Sequence, residues 1–86
     1  GIDELIISQS LVFNPSVFPN PATSNATLNI SNFPLTPCEV TLSDVQGRVV
    51  YLGHSSDVSL QDIEAGTYLL TIKGSEILGT TRVVIQ

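Results

Sequence analysis

The strongest constraint in this sequence is a hydrophobic period of two. Leu28 and Ile30 alternate with Thr27 and Asn29 in "ATLNIS", and Val40 and Leu42 alternate with Thr41 and Ser43 in "EVTLSD". Val58 and Leu60 alternate with Ser59 and Gln61 in "DVSLQD". "TYLLTIKG" sets Tyr68, Leu70 and Ile72 on one face and Leu69, Thr71 and Lys73 on the other, while "TTRVVIQ" sets Val83 and Ile85 against Arg82 and Val84. Successive side chains of a strand point to opposite faces, so each segment can bury one face and leave the other in water. "RVVYL" (48–52) is β-branched and aromatic and reads as a further strand. No helical period competes with these runs.

The punctuation between them is equally regular. "DVQGR" (44–48) and "KGSE" (73–76) are short enough to close hairpins, with Gly47 supplying a positive φ in the first. "NFPLTPC" (32–38) carries two prolines, which suit a crossover or sheet edge, and "LGHSSD" (52–57) is a polar loop. Strands recurring about every ten residues between such turns predict an all-β sandwich. The segment "ELIISQSLVFNPSVF" contributes one strand, broken or bent at Asn14-Pro15, and residues 1–10 read as a linker or an extra edge strand. In "DIEAGTY" (62–68) the Gly-x-Tyr spacing is that of a tyrosine corner, in which a phenol bonds to backbone a few residues upstream. Tyr68 would be that pin, and Gly66 would permit its close approach.

Composition excludes several classes of partner. The 86 residues are 42% hydrophobic and 13% charged, enough apolar matter for one core. The three cations, Arg48, Lys73 and Arg82, are scattered through a chain of net charge −5, which argues against nucleic acid and against anionic lipid. No apolar run approaches the roughly 18 residues that span a bilayer. "GIDELIISQS" lacks the basic start and small-residue cleavage site of a signal peptide, so an export signal would lie upstream in a longer precursor. Cys38 has no second cysteine to pair with and reads as a packing residue.

Catalytic and metal chemistry find little purchase. His54 is the only histidine, and Ser55, Ser56 and Asp57 follow it directly, whereas triad members come from separate elements. A Cys38–His54 pair has no supporting motif. One Cys and one His cannot make a zinc site, and Asp44, Asp57, Asp62 and Glu64 are spread over separate turns rather than clustered for calcium. The sequons Asn25-Ala26-Thr27 and Asn29-Ile30-Ser31 read as chance in a segment rich in Asn, Ser and Thr. No catalytic residue, cofactor or metal is expected.

Four motifs, in order, carry a resemblance. "VFPNPATSNATLNI", "VTLSDVQGRVVY", "VSLQDIEAGTYLLTIKG" and the closing "TTRVVIQ" resemble the C-terminal sorting domain of the type IX secretion system of Bacteroidota. The shared elements are Pro19-Asn20-Pro21, Asp44 with Gly47 and Arg48, Gly66 with Tyr68, and the last strand, Arg82 to Gln86. The resemblance covers about residues 17–86. It implies an immunoglobulin-like sandwich of about seven antiparallel strands with Greek-key connections, acting as a non-catalytic address label on secreted or cell-surface cargo. The implied partners are the upstream cargo of the same precursor, the outer-membrane translocon and its shuttle, and a sortase-like peptidase that removes the label. Membrane insertion is not implied. Arg82, Val83, Val84, Ile85 and Gln86 are nominated as contacts for the machinery, and the other motif residues as mainly structural. The sandwich is expected over residues 14–86, with the cleavage region within 1–13. Gln86 departs from the family's usual terminal Lys or Arg.

Two mechanical expectations accompany this reading. Pro19 and Pro21 would fix φ where the chain enters its first strand. The last strand, at a sheet edge, would offer unsatisfied backbone groups to a partner's strand. The competing class is a structural or carbohydrate-binding sandwich, which would show two or more exposed coplanar aromatics among Phe13, Phe18, Phe33, Tyr51 and Tyr68.

Overall fold

The computed structural model describes residues 11–86. Eight strands follow one another: β1 (Leu11–Phe13), β2 (Ser16–Phe18), β3 (Thr27–Ser31), β4 (Cys38–Ser43), β5 (Val49–Gly53), β6 (Asp57–Ser59), β7 (Gly66–Gly74) and β8 (Ile77–Ile85). They form a five-stranded sheet in the order β1-β8-β7-β4-β5 and a three-stranded sheet in the order β2-β3-β6. All pairings are antiparallel except that of β1 with β8. The chain changes sheet between β1 and β2, β3 and β4, β5 and β6, and β6 and β7, as the strand order of an immunoglobulin-like sandwich requires. The expected sandwich is therefore the observed fold, with β1 a short parallel addition at one edge. The break at Asn14-Pro15 sends β1 and β2 to different sheets. The expectations for residues 1–10 lie outside the described residues.

The period of two is what assembles the core. Val40, Leu42, Leu70, Ile72 and Val83 of the five-stranded sheet are 0% exposed, as are Leu28 and Val58 of the three-stranded sheet and Leu60 just after it. Each such side chain contributes about 1.5–3 kcal/mol by leaving water. The strand at 49–53 differs, since it closes the five-stranded sheet and has no fully buried residue; Val49, Val50 and Leu52 are exposed. Its ladder with β4 is irregular between Leu42 and Ser43, a kink that discourages further pairing at that edge.

Candidate functional site

The four sequence motifs converge in two pairs, and the first pair answers what Pro19-Asn20-Pro21 is for. Both prolines follow cis peptide bonds. Between them the Asn20 side chain reaches the outer edge of β8: its Nδ2 donates to the Arg82 carbonyl at 3.0 Å and its Oδ1 accepts the Val84 N–H at 3.1 Å. The backbone then continues the contact, with the Ala22 N–H donating to Val84 O at 2.8 Å and the Gln86 N–H to Ala22 O at 2.7 Å. The Ser24 N–H and Oγ both donate to the Gln86 carbonyl at 3.2 Å. Ala22 is 1% exposed and bridges Ile85 in parallel, so a small residue is needed where the clamp meets the core.

This geometry corrects the expected open edge. The Arg82 carbonyl, the Val84 N–H and carbonyl, and the Gln86 N–H and carbonyl are satisfied by residues 20–24, and β1 pairs with Ile77, Leu78 and Gly79. The motif belongs to the last strand rather than to the start of the first. A carboxamide carries one donor and one acceptor side by side, so Asn20 imitates a neighbouring strand for two backbone groups.

The second pair joins "DVQGR" to "AGTY". Asp44 Oδ1 accepts the backbone N–H groups of Gln46 and Arg48, both at 2.9 Å, and its Oδ2 accepts Arg48 Nε at 3.1 Å. Gly47, at φ 87°, takes the left-handed position that closes this turn. The Arg48 N–H, first among these contacts, holds the Asp44 carboxyl below its ordinary pKa. Tyr68 is 8% exposed and its hydroxyl donates to the Glu64 carbonyl at 2.7 Å, so the tyrosine corner is present. Gly66 sits at φ 155°, while a Cβ there would meet the Tyr68 ring at an ordinary 3.6 Å. The backbone angle, more than space, requires glycine. Asp44, Arg48, Gly66 and Tyr68 line one depression of about 300 Å³ at this end of the sandwich.

The five nominated contact residues divide by face. Val83 and Ile85 are 0% and 2% exposed and point into the core, while Arg82, Val84 and Gln86 face outward or lie at the edge. The outer surface of the five-stranded sheet also carries Leu69, 47% exposed, in register with Arg82 on one side and Ser43 on the other. Leu69 and Val45 were not singled out in the sequence. Alternation had assigned Leu69 to the outer face, but only the register shows that it adjoins Arg82.

The other chemistry-bearing residues stand apart from this surface. Cys38 is buried, and burial pushes its thiol up, away from the thiolate a nucleophile needs. His54 is exposed on its loop. Asp62 donates its backbone N–H to Asn25 Oδ1 at 3.2 Å, tying the loop before β7 to the one before β3. Among the described residues there is no cluster of three or more potential metal ligands. Phe18, at 54%, is the one exposed aromatic among the residues with described side chains, so no sugar-stacking platform is built there. No helix among the described residues is long and apolar enough to cross a membrane.

Residues 16–86 match the family described as the secretion system C-terminal sorting domain. The chain belongs to that family, the type IX sorting domains that its four motifs resemble. No curated protein matches the sequence. A solved structure of PorZ, described as an essential bacterial surface component of the type-IX secretion system of human oral-microbiomic Porphyromonas gingivalis, shares the fold. The two are 20% identical with a TM-score of 0.66, over 84% of this chain and 11% of the PorZ chain. The fold and family make this domain a type IX sorting signal, borne by secreted or surface-exported cargo.

Proposed function

We propose that the domain acts as a folded, non-catalytic label that is read by the type IX machinery and then removed from its cargo by a sortase-like peptidase, the cut falling within residues 1–13. The observation that supports reading in the folded state is the Asn20 clamp, which ties the last strand into the sandwich. Arg82, Val84 and Gln86 are then the nominated residues whose side chains a partner can meet without unfolding the domain. Val83 and Ile85 act through the core that positions them.

The burial of Val83 and Ile85 also decides how this is tested. Deleting residues 82–86 would strip the core and the clamp together, so loss of export would report unfolding as readily as lost recognition. The full 86-residue chain is instead fused behind a periplasmic reporter in a host carrying type IX machinery, and the exported reporter is weighed by mass spectrometry. The reading expects reporter outside the cell, cut before residue 14. Export with the domain still attached would overturn the processing step, and retention in the periplasm would overturn the sorting role.

A further inference from the structure

The sealed edge of β8 narrows what a partner of the folded domain can touch. With the Arg82 carbonyl, both backbone groups of Val84 and the Gln86 N–H already paired, this stretch offers a partner chiefly the side chains on its outer face. Asp44, Val45, Thr67, Tyr68, Leu69 and Arg82 line a depression of about 140 Å³ on that face. That volume is on the scale of one branched apolar side chain. Leu69 is 47% exposed and Val45 is 83% exposed, so the lining is apolar and open to water.

The charge around the depression is asymmetric. Asp44 is engaged by Arg48 at 3.1 Å and by two turn amides, and Arg82 is the cation among the described residues that line the depression. In a chain of net charge −5 with three cations, a guanidinium beside an apolar hollow is a local exception. Its complement is a segment with an apolar side chain next to a carboxylate, the one to fill the hollow and the other to meet the fork of Arg82.

Resting on the sorting reading, we propose that the hollow bounded by Val45, Thr67, Leu69 and Arg82 is the docking socket of the label, and that its occupant is an acidic, apolar-anchored segment of the machinery. The residues come from the loop after β4, from β7 and from β8, so the socket exists only in the assembled sheet. Two of the sequence motifs, "DVQGR" and "TTRVVIQ", meet there through Val45 and Arg82.

The test uses the same reporter fusion of residues 1–86, with the melting midpoint of each purified domain measured in parallel. Leu69→Thr places a β-branched, strand-favouring residue on an exposed strand position, and Val45→Ser lies in a loop, so both retain the fold. Each is expected to lower the exported fraction, and the double variant to lower it about tenfold or more, as loss of a central anchor does. Arg82→Gln is expected to lower export and Arg82→Lys to restore part of it. Leu52→Thr, on the same face but outside the hollow, is expected to export like the parent. Normal export of folded Leu69→Thr and Val45→Ser variants would overturn the socket while leaving the sorting role intact. An equal loss from Leu52→Thr would also overturn it, by assigning recognition to the face at large. A parent fusion that stays in the periplasm would overturn the sorting reading itself, and the socket with it.

Discussion

Asn20 and Val84 are 64 positions apart in the chain, yet the Val84 N–H donates to Asn20 Oδ1 at 3.1 Å. With the second bond to Arg82 O, this one side chain fastens the loop before β3 to the last strand. Asn20→Ala is expected to lower stability by about 1–2 kcal/mol, two solvent-accessible hydrogen bonds at the low end of their usual contribution. In a domain of this size that is a fall of roughly 4–15 °C in melting midpoint, measured by circular dichroism. Asn20→Asp should fall further, because it sets a carboxylate oxygen against the Arg82 carbonyl. An unchanged midpoint in both variants would show that the clamp is ornamental to stability.

Leu69 and Leu70 are adjacent and opposite in consequence. Leu70 is 0% exposed and Leu69 47%. Leu70→Ala is expected to cost about 2–5 kcal/mol through lost burial and the cavity left behind, whereas Leu69→Thr should stay within about 0.5 kcal/mol, as exposed substitutions do. Urea denaturation of the two variants compares them directly, and similar losses would contradict the assignment of faces.

The tyrosine corner predicts a graded series. Tyr68→Phe removes the hydroxyl that donates to the Glu64 carbonyl but keeps the buried ring, and is expected to cost about 1 kcal/mol. Glu64→Ala should cost little, because the acceptor is a backbone oxygen. A larger loss from Glu64→Ala than from Tyr68→Phe, in thermal melts, would refute that geometry.

Asp44 should respond to acid. Its carboxyl is held below the ordinary range chiefly by the Arg48 backbone N–H, helped by the Gln46 N–H and the Arg48 guanidinium. A carboxyl depressed in the folded state contributes stability that is present above its unfolded pKa and lost as pH falls through the folded value. NMR titration is expected to place the Asp44 carboxyl below the ordinary aspartate range. Asp44→Asn should remove its share of the acid sensitivity while keeping an oxygen for the turn amides. A titration at or above the ordinary range would contradict the capped turn.

Cys38 should be shielded. It is 7% exposed and burial raises its thiol pKa, so iodoacetamide at neutral pH is expected to leave the native domain unlabelled and to label it fully in denaturant. Fast labelling of the native domain would place the thiol at the surface.

Strand positions were legible because burial on one face imposes the alternation directly. Leu28, Val40, Leu42, Val58, Leu60, Leu70, Ile72, Val83 and Ile85 all lie in the core that the period of two assigns to them. The tyrosine corner was legible as well, since its partner lies only four residues from Tyr68. The clamp was not. Pro19-Asn20-Pro21 announces a fixed path, but a hydrogen bond across 64 residues depends on which strands the fold brings together, and no local pattern encodes that. The closed edge of β8 was missed for the same reason, and so was the hollow beside Arg82, because register between β7 and β8 decides that Leu69 is its neighbour.

The most direct test of the account is hydrogen exchange at the Val84 amide, read by NMR in the parent domain and in Asn20→Ala. The central claim is that residues 20–24 seal the last strand, so that the label offers side chains and not a free backbone edge. The account predicts a Val84 amide protected in the parent, and faster exchange at Val84 in Asn20→Ala while core amides such as Leu70 and Ile72 remain slow. A Val84 amide that exchanges in the parent as freely as those of the exposed loops would contradict it, and would return the last strand to an open edge that a partner's strand can join.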